Sequence, residues 1–515
     1  MSTSSHESHK AIRNVLFSAV RFLISAGGTI LTSAIIARTL GTERMGLYGY
    51  AMWLVGTLGV LANIGLPSAI TKYISEFVGR GEEATAARIA KRLLWVQFLV
   101  AVSLSALTAC FALLNTPYRG SILLAAVMLL AQASQQSLSA VLVGIQRFDQ
   151  VALAGLYTSI GQILAVGLAA FLHASVIGML WATLAGLWIG VGFSYRYAYR
   201  FCSLLPSASP PERTLPRDLF RRIMKFSMTV SFVLLLDTIV WQRSEILFLK
   251  WYSALEQIAF YTLAYSIVSK LSEVSTTISG TLLPLYSESY GRTGFQEVGK
   301  IFESGMKYIQ MIMVPTCLLG VAAAKQVVHL LYGTRYAPVV LPLQVMLISL
   351  AITSLGSVNS SLLLGAEKQS FIAKYGTFIA VVNITLDFIL IPHFGALGAS
   401  FANSAAQIAG VLGGNFYVAR LIGARFPWRA TFLIYACALV AVAPLTFLNN
   451  WIKASFWVLL VCAIGGGLLY LAGLVAIRQL GRAEFDILRK ALSSKWHQAD
   501  QVPMPKTSTT QAGCV

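Results

Sequence analysis

Lys270 and Glu273 stand three residues apart in a long apolar run, so an ammonium and a carboxylate share one helix face. Asp237 lies in the preceding run, about as far from the outer end of its helix as Lys270 is from the end of its own. Antiparallel packing of the two would put Asp237, Lys270 and Glu273 in one cluster. That cluster either lines a cavity or is an ion pair pinning two helices together. A charge at membrane depth costs several kcal/mol unless it is paired or wetted, so such residues face a cavity or a partner. Arg243 and Glu245 follow Asp237 in the same run. At about 100° per residue they point away from each other, whereas Asp237, Trp241 and Glu245 share a side. Asp237, Glu245 and Glu273 are therefore the carboxylates placed to take up a proton or a sodium ion. Arg21 sits about two turns into the first apolar run, within snorkelling reach of the near face. Asn63, Gln132, Gln135, Gln136, Gln162, Asn383 and Asp387 add polar groups inside other runs. Gln132, Gln135 and Gln136 share a stripe, suited either to sugar hydroxyls or to bonds between helices. Asp387 lies near the outer end of its run, where water reaches it.

The elements that must hold these groups are membrane helices. The chain has 515 residues, 57% hydrophobic and 11% charged, with a mean hydropathy of +0.71. Soluble proteins carry roughly 25% charged residues. Repeated apolar runs of about 20 residues point to spanning helices and away from a β-barrel, whose strands alternate over ~10 residues. The predicted fold is an all-α integral membrane bundle of about fourteen spans. Six cover roughly 13–38, 46–76, 90–115, 119–146, 150–172 and 175–199. Six more cover roughly 222–249, 257–287, 303–324, 337–366, 370–391 and 395–419, and a final pair covers 429–448 and 453–477. The organisation is an N-lobe (1–200), a Pro- and Ser-bearing linker (201–217), a C-lobe (218–422), two further helices (423–480) and a polar tail (481–515). The polar start, Met1 to Lys10, lacks the pattern of a cleaved signal peptide.

The net charge of +19 has a topological source. With the N-terminus inside, Lys and Arg gather at the inner ends of the spans. Only Arg38, Arg44, Arg119, Lys250, Lys325, Arg335 and Lys453 fall at the outer ends, and Arg21, Arg243 and Lys270 fall within spans. That is the positive-inside pattern. It predicts a multi-pass protein of the inner (plasma) membrane with both termini cytoplasmic, and no nucleic-acid partner. The six cysteines form no C-x-x-C pair, so neither a metal knuckle nor a disulfide framework is indicated. No G-x-x-x-x-G-K-[ST] motif is present, no cofactor is called for, and no outer connection is long enough for a catalytic carboxylate cluster. The protein is not expected to be an enzyme.

The chain repeats itself. Ser75-Glu76-Phe77-Val78-Gly79-Arg80 and Ser287-Glu288-Ser289-Tyr290-Gly291-Arg292 share S-E-x-x-G-R, each after a proline (Pro67, Pro284) read as a helix break. Gly144-x-x-Arg147 answers Gly365-x-x-Lys368 in the same order. One six-helix lobe written twice in one orientation usually works at the seam between its copies. The doubled motif is either an anchor with a glycine helix stop or a pair of inner-gate elements.

Three motifs carry a family resemblance. The turn Ala37-Arg38-Thr39-Leu40-Gly41 through Gly46-Leu47-Tyr48, the break Gly65-Leu66-Pro67, and Asn383 with Ile391-Pro392-His393-Phe394-Gly395-Ala396-Leu397-Gly398 resemble those of polysaccharide flippases. These belong to the multidrug/oligosaccharidyl-lipid/polysaccharide exporter superfamily. The resemblance covers roughly residues 10–420, and the final helix pair suits its fourteen-helix members. It implies a transporter that carries an oligosaccharide on a polyprenyl (pyro)phosphate from the cytoplasmic to the outer leaflet by alternating access. An ion gradient would drive it, with the protein working as a monomer among membrane lipids. The superfamily also holds drug/cation antiporters, which is the alternative reading. On this view Arg21 meets the carrier's phosphates, and Asn63, Gln132, Gln136, Arg243 and Lys270 join it in binding substrate.

Overall fold

A computed structural model describes residues 24–477 except 115–117, 204–215, 239–243, 294, 367, 424–425 and 449–455, together with residue 479. Among the described residues there are sixteen α-helices, one 3-10 turn (Thr334–Val339) and no strand. The first seven are α1 (Ile24–Leu40), α2 (Thr42–Asn63), α3 (Leu66–Gly79), α4 (Glu83–Leu113), α5 (Arg119–Gly144), α6 (Phe148–Phe171) and α7 (Val176–Ser203). Then come α8 (Arg217–Thr238), α9 (Ser244–Tyr252), α10 (Leu255–Thr293), α11 (Phe295–Leu331), α12 (Val340–Thr353), α13 (Gly356–Gly365) and α14 (Gln369–Ile422). Helices α15 (Trp428–Leu448) and α16 (Phe456–Ala476) close the series.

Eight helical stretches are long and apolar enough to cross a membrane unaided. Several other passages are broken or doubled, so the number of helices among the described residues differs from the number of passages. Pairs α2–α3 and α12–α13 are halves of single passages. Helix α14 is two passages that reverse at Gly395 (φ 53°, ψ −129°), since the Tyr375 hydroxyl donates to the Ala409 carbonyl at 2.9 Å across the hairpin. The reversal needs glycine: φ is left-handed there, and a Cβ would meet Gln257 Oε1 at 2.7 Å. At the α2–α3 break Ile64 and Gly65 both have positive φ, and a Cβ on Gly65 would lie 2.2 Å from the Ser227 carbonyl. The break thus seats α3 against α8, and Ser227 Oγ donates to the freed Ile64 carbonyl.

Pro67 occupies the first turn of α3, where its missing N–H costs nothing. Pro284 corrects the sequence reading: α10 runs unbroken from Leu255 to Thr293 through Pro284 and Gly291, so neither residue stops it. In the first S-E-x-x-G-R copy Ser75 Oγ donates to the Gly144 carbonyl at 2.8 Å, tying α3 to α5, and Arg80 pairs with Glu76 at 2.5 Å. The left-handed residue that ends the motif is Gly81 (φ 78°), not Gly79. The side chains of the second copy, Ser289 apart, lie outside the described residues.

The apolar core is joined at one end of the bundle and divided at the other. At the end holding the α1–α2 turn, a single cluster runs through Ala37, Tyr48 and Val55, on through Ile258, Tyr261 and Ala264, to Tyr336 and Ile391. At the opposite end two clusters stand apart. One is built on Leu66, Ile74, Leu93 and Val141 and takes in Ile223 of α8, the other on Tyr286, Phe302, Met313, Leu355 and Leu362 of α10 to α13. Helices α15 and α16 pack on α11 through Ile434, Ala438, Tyr470 and Val314.

Close backbone approach makes the joined end. A Cβ on Gly46 would sit 1.8 Å from the Leu255 carbonyl oxygen, and one on Gly49 would sit 3.0 Å from Thr262 Oγ1. Polar clasps flank it. Arg38 donates from Nε and Nη2 to the Leu331 and Leu330 carbonyls, at 2.9 and 2.5 Å, capping the end of α11. Tyr336 donates to the Ala37 carbonyl at 2.7 Å, and Thr42 Oγ1 to Glu256 Oε1 at 2.9 Å. Replacing Arg38 by Ala should cost about 1–2 kcal/mol, since each bond is charge-assisted but partly wetted. The measurement is a lowered denaturation temperature, and a wild-type value would mean the clasp contributes nothing.

Candidate functional site

A carboxylate pair lies buried where α9 meets the α14 hairpin. Glu245 falls in the first turn of α9. Asn383 and Asp387 are four apart on one arm of α14, Asn403 and Gln407 four apart on the other, so each pair shares a face. The reversal at Gly395 folds those faces together on Glu245. Asn403 Nδ2 donates to Glu245 Oε1 at 2.6 Å and Asn383 Nδ2 to the same oxygen at 3.2 Å. Asn383 Nδ2 also reaches Ser244 Oγ at 3.0 Å, Ser244 Oγ donates to Asp387 Oδ2 at 2.8 Å, and Gln407 Nε2 donates to Asn403 Oδ1 at 2.6 Å. Glu245, Asp387 and Asn383 each have 0% exposure.

Among the described residues no basic side chain pairs with either carboxylate, and Glu245 Oε2, Asp387 Oδ1 and Asn383 Oδ1 have no hydrogen-bond partner. Buried polar atoms are rarely left so. A set of unpartnered oxygens carrying two carboxylates is suited to a hard cation, whose ligands are oxygen.

Among the described residues, the other predicted site groups fall in two further places. Lys270 Nζ pairs with Glu273 Oε1 at 2.5 Å on α10, with side chains 21% and 46% exposed. On α10 the opposite face is fixed by Ser275 and Ser279, which bond Ser357 of α13. At about 100° per residue Ser266, Lys270, Glu273 and Thr277 point away from that packed face. Glu273 is therefore partnered by Lys270, about 13 Å or more along α10 from the level of Glu245. The third place is the α2–α3 break. There Asn63 Nδ2 donates to Gln136 Oε1, Gln97 Nε2 donates to Asn63 Oδ1 at 3.1 Å, and the same amide caps the Ala62 carbonyl at 2.9 Å. Gln135 turns to Thr158 of α6 at 3.1 Å, so the glutamine stripe divides between two neighbours. Gln132 lies beside Gly59.

Arg21, Arg243 and Trp241 lie outside the described residues; Asp237 is on α8, with its side chain outside them. Asp387 corrects the sequence reading of a wetted helix end, because the hairpin covers it. Sequence reasoning did not single out Ser244, Asn403 or Gln407. The signal available was a pair of amides at i, i+4 in an otherwise small and apolar run.

Comparison with known proteins places this geometry. The profile of the polysaccharide biosynthesis protein family matches residues 11–290, slightly more than half of the chain. The probable low-salt glycan biosynthesis flippase Agl15 of Haloferax volcanii is 22% identical over 447 residues, covering 84% of this chain and 89% of that protein. A structure of the lipid II flippase MurJ, in an inward closed conformation, superposes with a TM-score of 0.72 at 16% identity. It covers 90% of this chain and 99% of that one. An inward-facing multidrug resistance MATE family transporter superposes with a TM-score of 0.63 at 16% identity, covering 78% and 98%. At those identities the two structures share the fold.

Proposed function

The chain belongs to the polysaccharide biosynthesis protein family, and from that premise we propose that it flips an oligosaccharide linked to a polyprenyl (pyro)phosphate across the plasma membrane. The observation that supports it is a core continuous from α2 to α10 at one end, whereas at the other end α8 alone of the C-lobe packs on the N-lobe cluster and α10 to α14 form a separate one. The glycan cargo is supported by kinship to a glycan flippase along most of the chain. Two lobes, 1–200 and 218–422, rock about the α2–α10 seam, with the divided end and both termini facing the cytoplasm. The protein works as a monomer and moves its cargo without making or breaking a bond. Arg21, Arg243 and Lys270 meet the phosphates, and Gln132 and Gln136 meet sugar hydroxyls, with Asn63 holding Gln136 in place between the helices.

The driving ion binds between Glu245 and Asp387, and Asp237 and Glu273 help it reach the site. Two carboxylates with unpartnered oxygens around them favour sodium over a lone proton, which satisfies one oxygen only. A drug/cation antiporter is the second reading, favoured by the shared fold of the MATE transporter. Reconstituted into liposomes, the protein should translocate a fluorescent polyprenyl-pyrophosphate glycan and leave ethidium behind. Ethidium movement without glycan flipping would reverse the assignment.

A further inference from the structure

Helix α9 reaches between the two halves of the joined end. On one side it is fastened to the α14 hairpin: Asn383 and Asn403 bond Glu245 in its first turn, and Tyr252 at its end meets Phe388 edge-on with ring centroids 6.1 Å apart. Lys250, in the last turn, follows Glu245 at a spacing that turns it about 140° away, at about 100° per residue. The ammonium thereby leaves the hairpin and crosses to the N-lobe. Its Nζ lies over the ring of Tyr118, 4.5 Å from the centroid, and 5.8 Å from that of Tyr50. Tyr118 immediately precedes α5, and Tyr50 on α2 stacks on Trp53 with centroids 5.7 Å apart.

Among the described residues Lys250 has no ion-pair partner. The next acid along the chain, Glu256, accepts from Thr42 instead. Lys250 is half-buried, so its charge is drawn partly out of water and leans on the two rings for compensation. An ammonium within about 6 Å of a ring centroid is held by the ring quadrupole, more strongly as water is excluded. Such a contact suits a surface that must part. When the lobes separate, the flexible stem carries the ammonium back to water and leaves neutral rings behind, whereas a parted buried ion pair strands two charges.

We propose that Lys250, Tyr118 and Tyr50 form a latch across the seam, in which a cation of the C-lobe seated on rings of the N-lobe holds the α1–α2 end shut between transport steps. The inference rests on the proposed rocking of two lobes about the α2–α10 seam, and is independent of what the cargo is. Cation and rings belong to different lobes, so the contact exists while the seam is closed and is lost when that end opens. It shifts the population toward closure by its own differential free energy.

Opening is read by the labelling rate of a thiol introduced as Met45→Cys, a position buried in the seam, in full-length protein with the native cysteines replaced. While the closed state dominates, that rate scales with the open population. Lys250→Met keeps the stem and removes the charge. It should raise the rate about tenfold, the effect of losing a cation–π contact that is partly out of water. Tyr118→Leu removes the nearer ring and should raise the rate several-fold. The double variant should label no faster than Lys250→Met alone, because both changes break one contact. Lys250→Arg and Tyr118→Phe keep a cation and a π face, and should label at nearly the wild-type rate.

Lys250→Met at the wild-type rate, or a double variant whose rate is the product of the two single effects, would overturn the latch. The labelling needs no cargo, so an error in the glycan assignment leaves its outcome untouched. The rocking is read separately, by oxidising Thr42→Cys with Glu256→Cys and following glycan flipping in liposomes. Flipping that survives the disulfide would overturn the seam motion and the latch with it. Flipping that stops, beside a Lys250→Met variant that labels like wild type, would leave the motion standing and the latch refuted.

Discussion

Glu245→Gln should lower cation-driven flipping about a hundredfold and leave the folded protein at least as stable as wild type. Glutamine keeps the shape of the side chain and one carbonyl oxygen for Asn383 and Asn403, so the network around Oε1 survives. What disappears is one of the two carboxyl groups able to carry charge toward a cation. A coordinated cation would lose roughly 2–3 kcal/mol of attraction, which is a factor of about 100 in affinity. Removing a buried ionisable oxygen while keeping the amide bonds to the other should cost the fold nothing. Glu245→Ala is expected to differ, because it strands the Asn383 and Asn403 amides in a dry site. It should lose both transport and about 2–4 kcal/mol of stability. Flipping in liposomes and thermal denaturation, run on both variants, separate the cases. A Gln variant with wild-type cation dependence would remove Glu245 from the coupling site.

Gly46→Ala should break the seam. Its Cβ would lie 1.8 Å from the Leu255 carbonyl oxygen, a backbone atom that no rotamer change can move. Restoring ordinary contact would push α2 from α10 by about 1.5 Å, and cores are too densely packed to absorb that locally. The closed α1–α2 end then loses several kcal/mol against the alternative state, and transport should stop. The readout is a disulfide between Thr42→Cys and Glu256→Cys, whose side chains touch in the closed seam. Cross-linking should fall at least tenfold with Gly46→Ala. Gly79→Ala is the control, since nothing lies within 4 Å of its Cβ. Undiminished cross-linking in Gly46→Ala would mean that this contact does not hold the lobes together.

Much of this architecture could be read from residue order. Apolar run lengths place the passages, Gly65-Leu66-Pro67 marks the α2–α3 break, and the spacing of Lys270 and Glu273 foretells their pairing. Glu245 stands out as a carboxylate within an apolar run. What order alone could not supply was which helix faces meet. Asp387 looked wetted because depth was counted along one helix, whereas the reversal at Gly395 covers it and brings Asn403 alongside. Glu273 and Glu245 looked alike as coupling candidates because both are acids in neighbouring spans. Pairing on α10 binds the first to Lys270, and the hairpin binds the second to asparagines. Pro284 looked like a break because proline usually is one, yet flanking packing by Tyr286 and Leu282 carries α10 through it.

The most direct test of ion-coupled flipping uses wild-type protein in liposomes loaded with a fluorescent polyprenyl-pyrophosphate glycan. Sodium and proton gradients are imposed separately and then reversed. The geometry predicts glycan translocation that accelerates with an imposed sodium gradient, reverses direction with it, and ignores a proton gradient of equal size. Flipping at one rate under every gradient, in both directions, would contradict coupling through Glu245 and Asp387.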